Sequence, residues 1–253
     1  MELVGALVIG AAMGLLGGGG SILTVPVFVY AAGLDPKVAV AASLPVVAMT
    51  SASAAVSHWR MGNVQVRTAL IYGVTAAVGS FAGARLATFL SGATQLLLLA
   101  VVMLAAAVRM LAANNADIPH GEQLLRINLA TLLPTALGVG LLTGVVGVGG
   151  GFLIVPTLTI LCKLPMRLAV GTSLMIIAMN TASGAAGYAG TVPVPWDVVL
   201  VFSAVAIVGT LAASRWSTRL PQSALRKGFG VLLVCLSVLL LVQNRHEFSR
   251  WLA

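Results

Sequence analysis

Gly14-Leu-Leu-Gly-Gly-Gly-Gly-Ser-Ile-Leu-Thr-Val-Pro26 is followed, 130 positions later, by Gly144-Val-Val-Gly-Val-Gly-Gly-Gly-Phe-Leu-Ile-Val-Pro156. A run of four glycines is a poor helix, each costing roughly 1 kcal/mol relative to alanine, yet both runs sit inside long apolar segments. A duplicated break of this kind at membrane depth points to a transporter made of two repeated halves. The same offset pairs Lys37 with Arg167, Ser43-Leu44 with Ser173-Leu174, Ser53 with Ser183, Gly79 with Gly209 and Arg85 with Arg215, all without a gap. The chain is one unit written twice.

The rest of the composition agrees. Hydrophobic residues make up 59% of the chain and charged residues 8%, with a mean hydropathy of +1.06, whereas a soluble domain carries about 25% charged residues. The net charge of +8 comes from cations scattered singly at the ends of apolar runs, the pattern of membrane anchoring and not of a nucleic-acid surface. Cys162 and Cys235 lack metal-ligand or C-x-x-C spacing and are expected to be buried small apolar side chains. The apolar stretch from Leu3 lacks a basic n-region and a clean cleavage site, so it reads as part of the mature fold. The polar stretch around Asn114, Asp117, Pro119, His120 and Glu122 separates a first repeat at 1–113 from a second at 126–253, with a linker at 114–125.

Each repeat holds a glycine-interrupted segment (Leu3 to Ala32; Ile127 to Cys162) and three apolar runs, Pro36 to Ser57, Val66 to Leu90 and Gln95 to Val108 in the first, Met166 to Tyr188, Trp196 to Trp216 and Ser223 to Val242 in the second. About 20 apolar residues span a membrane. A continuous helix of about 30 residues would be roughly 45 Å long, too long for a hydrocarbon core of about 30 Å. Two half-helices meeting at the glycines suit a re-entrant hairpin instead. Charge supports this choice. Crossing segments divide the Lys and Arg residues six against eight, whereas re-entrant ones divide them four against ten, as the positive-inside rule requires. The expected fold is therefore an all-α polytopic membrane protein of two inverted repeats, each a re-entrant helical hairpin plus three transmembrane helices. Both termini are expected outside and the linker in the cytoplasm.

Irregular backbone at membrane depth is tolerated only where protein covers it or a polar cavity receives it. The helical pattern resumes after each break, which places the amides of Gly19, Gly20, Ser21 and Ile22, and of Gly149, Gly150, Gly151 and Phe152, at half-helix N-termini, with Gly17 in the same break. These ends are expected to face each other near the midplane. Free N–H donors, a partial positive charge and close approach over glycine make an anion cradle. Ser43, Ser53, Ser173, Asn180 and Ser183 add donors from the following spans. The competing reading is that the glycines permit tight helix packing. Arg85 and Arg215 lie at span ends, to anchor at the headgroups or to attract anions at the two mouths.

His58 reads as a loop histidine and, because its repeat counterpart is Tyr188, as no symmetric element. Ser21 with His58 might evoke a serine hydrolase, but Gly151 and Tyr188 stand at those places in the second half and no orienting acid is evident. No enzyme, cofactor or metal centre is expected.

The two glycine motifs with Pro26 and Pro156, the Ala39-Val-Ala-Ala-Ser43 and Ala169-Val-Gly-Thr-Ser173 runs and Gly83-Ala-Arg-Leu86 together resemble the sulfite exporter TauE/SafE family, also called the 4-toluene sulfonate uptake permease family. The resemblance covers essentially the whole chain. It implies a multi-pass transporter of the cytoplasmic membrane moving sulfite, sulfoacetate or other organosulfonates, often outward. The partners are then a small anionic substrate and the lipid bilayer, with a homodimer left open. In the expected mechanism one repeat rocks against the other around Pro26, Pro45 and Pro156, aided by about 2.3 kcal/mol per charge per 100 mV. The alternatives are a cation transporter or channel with carbonyls of Gly17 and Gly147 as ligands, and a non-transporting membrane scaffold.

Overall fold

The computed structural model describes residues 2–16, 20–112, 129–147, 150–160, 162, 164–217 and 222–243. They form helices α1 (Glu2–Leu16), α2 (Ser21–Tyr30), α3 (Pro36–Arg60), α4 (Val66–Ala87), α5 (Gly92–Ala112), α6 (Leu129–Val146), α7 (Gly151–Ile160), α8 (Met166–Tyr188), α9 (Trp196–Ser217) and α10 (Gln222–Gln243). The expected linker at 114–125 lies outside the described residues. Four of the helices, α3, α4, α8 and α9, are long and apolar enough to cross a membrane, whereas the described apolar stretches of α5 and α10, Gly92–Val108 and Leu233–Val242, are shorter.

Local chemistry sets the helix limits. At the start of α3 the Asp35 carboxylate accepts from the Lys37 amide at 2.9 Å and Pro36 supplies a preset φ, the usual N-terminal combination. At the other end the Asn63 amide returns to the His58 carbonyl at 2.9 Å. The helix therefore runs three residues past Ser57.

The glycine-interrupted segments double back. A methyl on Gly5 would lie 3.1 Å from Val27 Cγ1, and one on Gly20 would run into the Ile9 carbonyl and Met13, so α2 returns along α1. In the second segment the chain turns at Gly147 and Gly150, and a methyl on Gly150 would meet the Thr143 side chain. The legs are unequal, with 15 and 10 residues in the first segment and 18 and 10 in the second.

Helices α3 and α8 form the centre and run antiparallel: a methyl on Gly184 would lie 3.4 Å from Leu44, and one on Gly171 would lie 3.2 Å from the His58 Cβ. On either side stand two matching seams. Gly10 and Gly14 of α1 meet the Ala206 and Thr210 carbonyls of α9, and Gly140 and Gly144 of α6 meet the Ala76 and Ser80 carbonyls of α4. A third contact joins each seam, from Gly209 to Leu7 and from Gly79 to Leu137. Every partner on one side has its counterpart 130 positions away on the other. With no side chain between them the backbones approach to van der Waals distance, which is how helices associate where lipid tails remove the hydrophobic drive. Helices α5 and α10 pack on each other.

Large apolar side chains such as Val74, Val78, Leu200, Val201 and Val208 face outward, as a lipid-facing surface requires. Trp59 and Trp196, at helix ends, are exposed as well, in keeping with interfacial aromatic belts. Cys162 is half-buried, but Cys235 is exposed, contrary to expectation. It shares the outward face of α10 with Val231, Val238 and Val242, where a small apolar thiol suits lipid as well as it suits a core.

The seams yield a paired test. Gly140→Leu drives a side chain into the Ala76 carbonyl and is expected to cost about 1–3 kcal/mol or more. Gly138→Ala adds a methyl with no atom within 4 Å and is expected to be neutral or to gain up to about 1 kcal/mol in helix propensity. Thermal unfolding of the detergent-purified variants measures both.

Candidate anion site at the helix breaks

The break in the second hairpin is defined by two glycines. Gly147 and Gly150 hold φ of +75° and +74°, a region side-chain-bearing residues rarely enter. The Gly147 amide still bonds the Thr143 carbonyl at 2.8 Å, so α6 completes its ladder before the chain turns. In the first hairpin Gly20 is the N-cap of α2 and supplies no side-chain cap. Ser21, Ile22, Gly150 and Gly151 are all buried. Gly17, Gly19 and Gly149 lie outside the described residues, and for Phe152 only the backbone, within α7, is described. The glycines at 20 and 150 also serve packing, because added carbon would overlap the opposite leg.

A helix that stops inside the protein leaves its last carbonyls without amide partners. Here side chains take the vacant places. Ser43 donates to the Gly147 carbonyl and, at 2.7 Å, to its own Val40 carbonyl. Gln95 Nε2 donates to the Val145 carbonyl at 2.8 Å and to the Tyr188 hydroxyl at 2.9 Å, while that hydroxyl reaches Val145 at 3.3 Å. In the first hairpin His58 Nε2 lies 3.4 Å from the Gly14 carbonyl. The loop reading of His58 is thus corrected: it is buried in the last turn of α3, because the helix extends beyond the apolar run that marked its end. Its lack of symmetry is corrected too. His58 and Tyr188 differ chemically, yet each reaches a late carbonyl of its own repeat's broken helix.

The remaining predicted donors are spread over several interfaces. Ser173 donates to the Val170 carbonyl at 2.8 Å and Ser53 to Thr50 at 2.8 Å, each within its own helix. Asn180 Nδ2 donates to Thr143 Oγ1 at 2.6 Å, tying α8 to the end of α6. Ser183 donates to the Ala77 carbonyl of α4 at 2.8 Å and borders an outward groove of about 480 Å³ with Val74, Val78, Phe81 and Met179. Arg85 is exposed, its guanidinium 5.5 Å from the Phe81 ring, and Arg215 lies in the last turns of α9.

Outside the predicted site residues four buried hydroxyls, those of Thr24, Ser51, Tyr72 and Ser80, have no hydrogen-bond partner among the described residues, and the first two lie on α2 and α3, which pack on each other. Thr24 and Ser51 are fully buried. A buried hydroxyl without a partner costs about 1–3 kcal/mol, so its presence asks for a ligand or another function. Their polarity is visible in the sequence, but Thr24 pairs with Ile154 across the repeat, and a search for like paired with like passes over it.

Residues 3–240 match the family described as Sulfite exporter TauE/SafE. A probable membrane transporter protein of Xylella fastidiosa (strain 9a5c) is 32% identical over 238 residues, covering 91% of this chain and 90% of that one. A probable membrane transporter protein of Bacillus subtilis (strain 168) is 28% identical over 92% of this chain and 96% of its own length. One from Methanocaldococcus jannaschii is 27% identical over 72% and 70% respectively. No solved structure matches. With an all-helical fold, outward apolar faces and a family match over almost its whole length, the chain belongs to the sulfite exporter TauE/SafE family of multi-pass membrane transporters.

Proposed function

We propose that this transporter moves small sulfur oxyanions, sulfite or organosulfonates such as sulfoacetate, outward across the cytoplasmic membrane, holding the anion at the N-terminal ends of α2 and α7. The observation that carries the reading is how the carbonyl sides of the breaks and the start of α2 are filled among the described residues. The carbonyl sides are occupied by donors from Ser43, Gln95, Tyr188 and His58, whereas α2 starts at a glycine with no side-chain cap. Helices α2 and α7 touch each other, and Ile22 and Val25 share one apolar cluster with Val155. A helix start without a side-chain cap presents its positive dipole end, which an anion prefers. Thr24 and Ser51 are added to the candidate donors alongside Ser43, Ser53, Ser173, Asn180 and Ser183.

The same asymmetry argues against the cation reading, since carbonyls already accepting side-chain hydrogens offer a cation little. Inverted repeats and re-entrant hairpins are supported by the antiparallel α3 and α8 and by the legs that double back. They are also supported by the grouping of cations. The Gly171 and Thr172 end of α8, one turn from Arg167, packs on Asn63 and Gln65, between Arg60 and Arg67. At the other end Lys37 Nζ donates to the Thr88 carbonyl at 2.7 Å, beside Arg85. The re-entrant count groups the cations in this way, and the end with Arg60 is cytoplasmic.

For alternating access, rocking of one repeat against the other would tear the glycine seams, which join α1 to α9 and α4 to α6 across the repeats. The moving bodies are instead mixed, one around α1 with α9 and the other around α6 with α4, turning about the α3–α8 axis.

Thr24→Val and Ser51→Ala separate transport from folding. Removing an unpartnered hydroxyl is expected to leave stability unchanged or raise it by up to about 1 kcal/mol, while sulfite efflux from proteoliposomes falls roughly tenfold, the equivalent of one good hydrogen bond. Unaltered flux in both variants removes these hydroxyls from the site. Gln95→Leu tests the polarity of the break: it leaves the Val145 carbonyl with Tyr188 alone and is expected to cost about 1–3 kcal/mol. Thermal shift with sulfite, chloride and a divalent cation then decides, since a gain in stabilisation by the cation would favour a carbonyl site.

A further inference from the structure

We infer that His58 is a proton-binding site that holds the first hairpin to α3, giving one of the two hairpins a titratable latch that the other lacks. The inference concerns the protein's own proton and not the identity of the transported anion, so it stands apart from the substrate reading.

His58 is 2% exposed. Nε2 faces the Gly14 carbonyl of α1. A carbonyl only accepts, so Nε2 carries the hydrogen and the neutral ring presents an unprotonated Nδ1. That Nδ1 is buried with no partner among the described residues. A proton taken up there makes an imidazolium while Nε2–H stays on Gly14, and the negative end of the α1 dipole favours the charged ring. No other bond breaks. The route is short, because Trp59 and Arg60, the next residues of α3, are exposed.

The surroundings define the balance. From α9, Ser214 meets Ser57 at 2.9 Å, with Arg215 next in sequence. From α8 comes Gly171, one turn beyond the exposed Arg167, and the connection to α4 brings Asn63 and then the exposed Arg67. Among the described carboxylates, Asp35 and Asp197 stand at the starts of α3 and α9, the opposite end of both helices. No described carboxylate therefore neutralises the ring at this end. Its charged form is stabilised by the α1 carbonyl end and opposed by burial, so the hold on Gly14 changes with protonation. In the second hairpin Tyr188 and Gln95 occupy the corresponding place with groups that stay uncharged at neutral pH.

The test uses the full chain in detergent, labelled at its three histidines, with nuclear magnetic resonance between pH 4.5 and 8.5 and a melting curve at each pH. His58→Tyr, which copies the second hairpin, and His58→Gln, which keeps a neutral donor, are the comparators. The expected result is one titrating imidazole signal absent from both variants, together with a melting temperature whose dependence on pH flattens in the variants. If the His58 signal does not titrate over this range, or if a folded variant keeps the wild-type melting profile, the latch is overturned. The wild-type spectrum decides even where a variant fails to fold. Transport of methanesulfonate, whose charge is constant over this range, adds a functional arm. Absence of transport counts against the substrate reading and leaves the proton site to the other two measurements.

Discussion

Every backbone carbonyl in hydrocarbon must find a donor, since each failure costs several kcal/mol, and this protein interrupts two helices in its interior. The rest of the architecture answers that constraint. The carbonyls released at the end of α6 are met by Ser43 from α3 and Gln95 from α5, both in the other repeat, and by Tyr188 from α8. The antiparallel pair α3 and α8 sets these side chains at the right level. The two halves are joined through their broken helices as much as through their apolar cores.

Glycine does two different things here. At Gly10, Gly14, Gly140 and Gly144 it removes a side chain so that two backbones can meet, and at Gly147 and Gly150 it lets the chain turn. Gly20 belongs to the first group, since it begins α2 in ordinary helical backbone and rests on Ile9 and Met13. Packing and the proposed anion site are therefore compatible at Gly20. A substitution at Gly20 would disturb both together, which is why the hydroxyls of Thr24 and Ser51 give a cleaner reading of the site.

Much of this is legible in the sequence because it is written twice. The apolar run Met166 to Tyr188 is the helix α8 without adjustment, and the breaks are marked by glycines that no ordinary helix would collect. The partners of the broken ends are not legible, because Gln95 and Val145 are 50 residues apart and Ser43 and Gly147 are 104 apart. Nothing local in either stretch records the pairing. The equivalence of His58 and Tyr188 is hidden for another reason: they share a task and not a chemistry. The small-residue seams are hidden by abundance, since 28 glycines blur any single spacing.

The seam between α1 and α9 also bears on how the molecule is made. Gly10 accepts the Thr210 hydroxyl across 200 residues of sequence, so α1 is synthesised long before the helix that seats it. Until α9 arrives, a glycine-lined face without a partner must wait in the bilayer or at the insertion machinery. Contacts this distant in sequence are slow to form. The packing of α1 in the finished fold is therefore completed only after the second half has been translated.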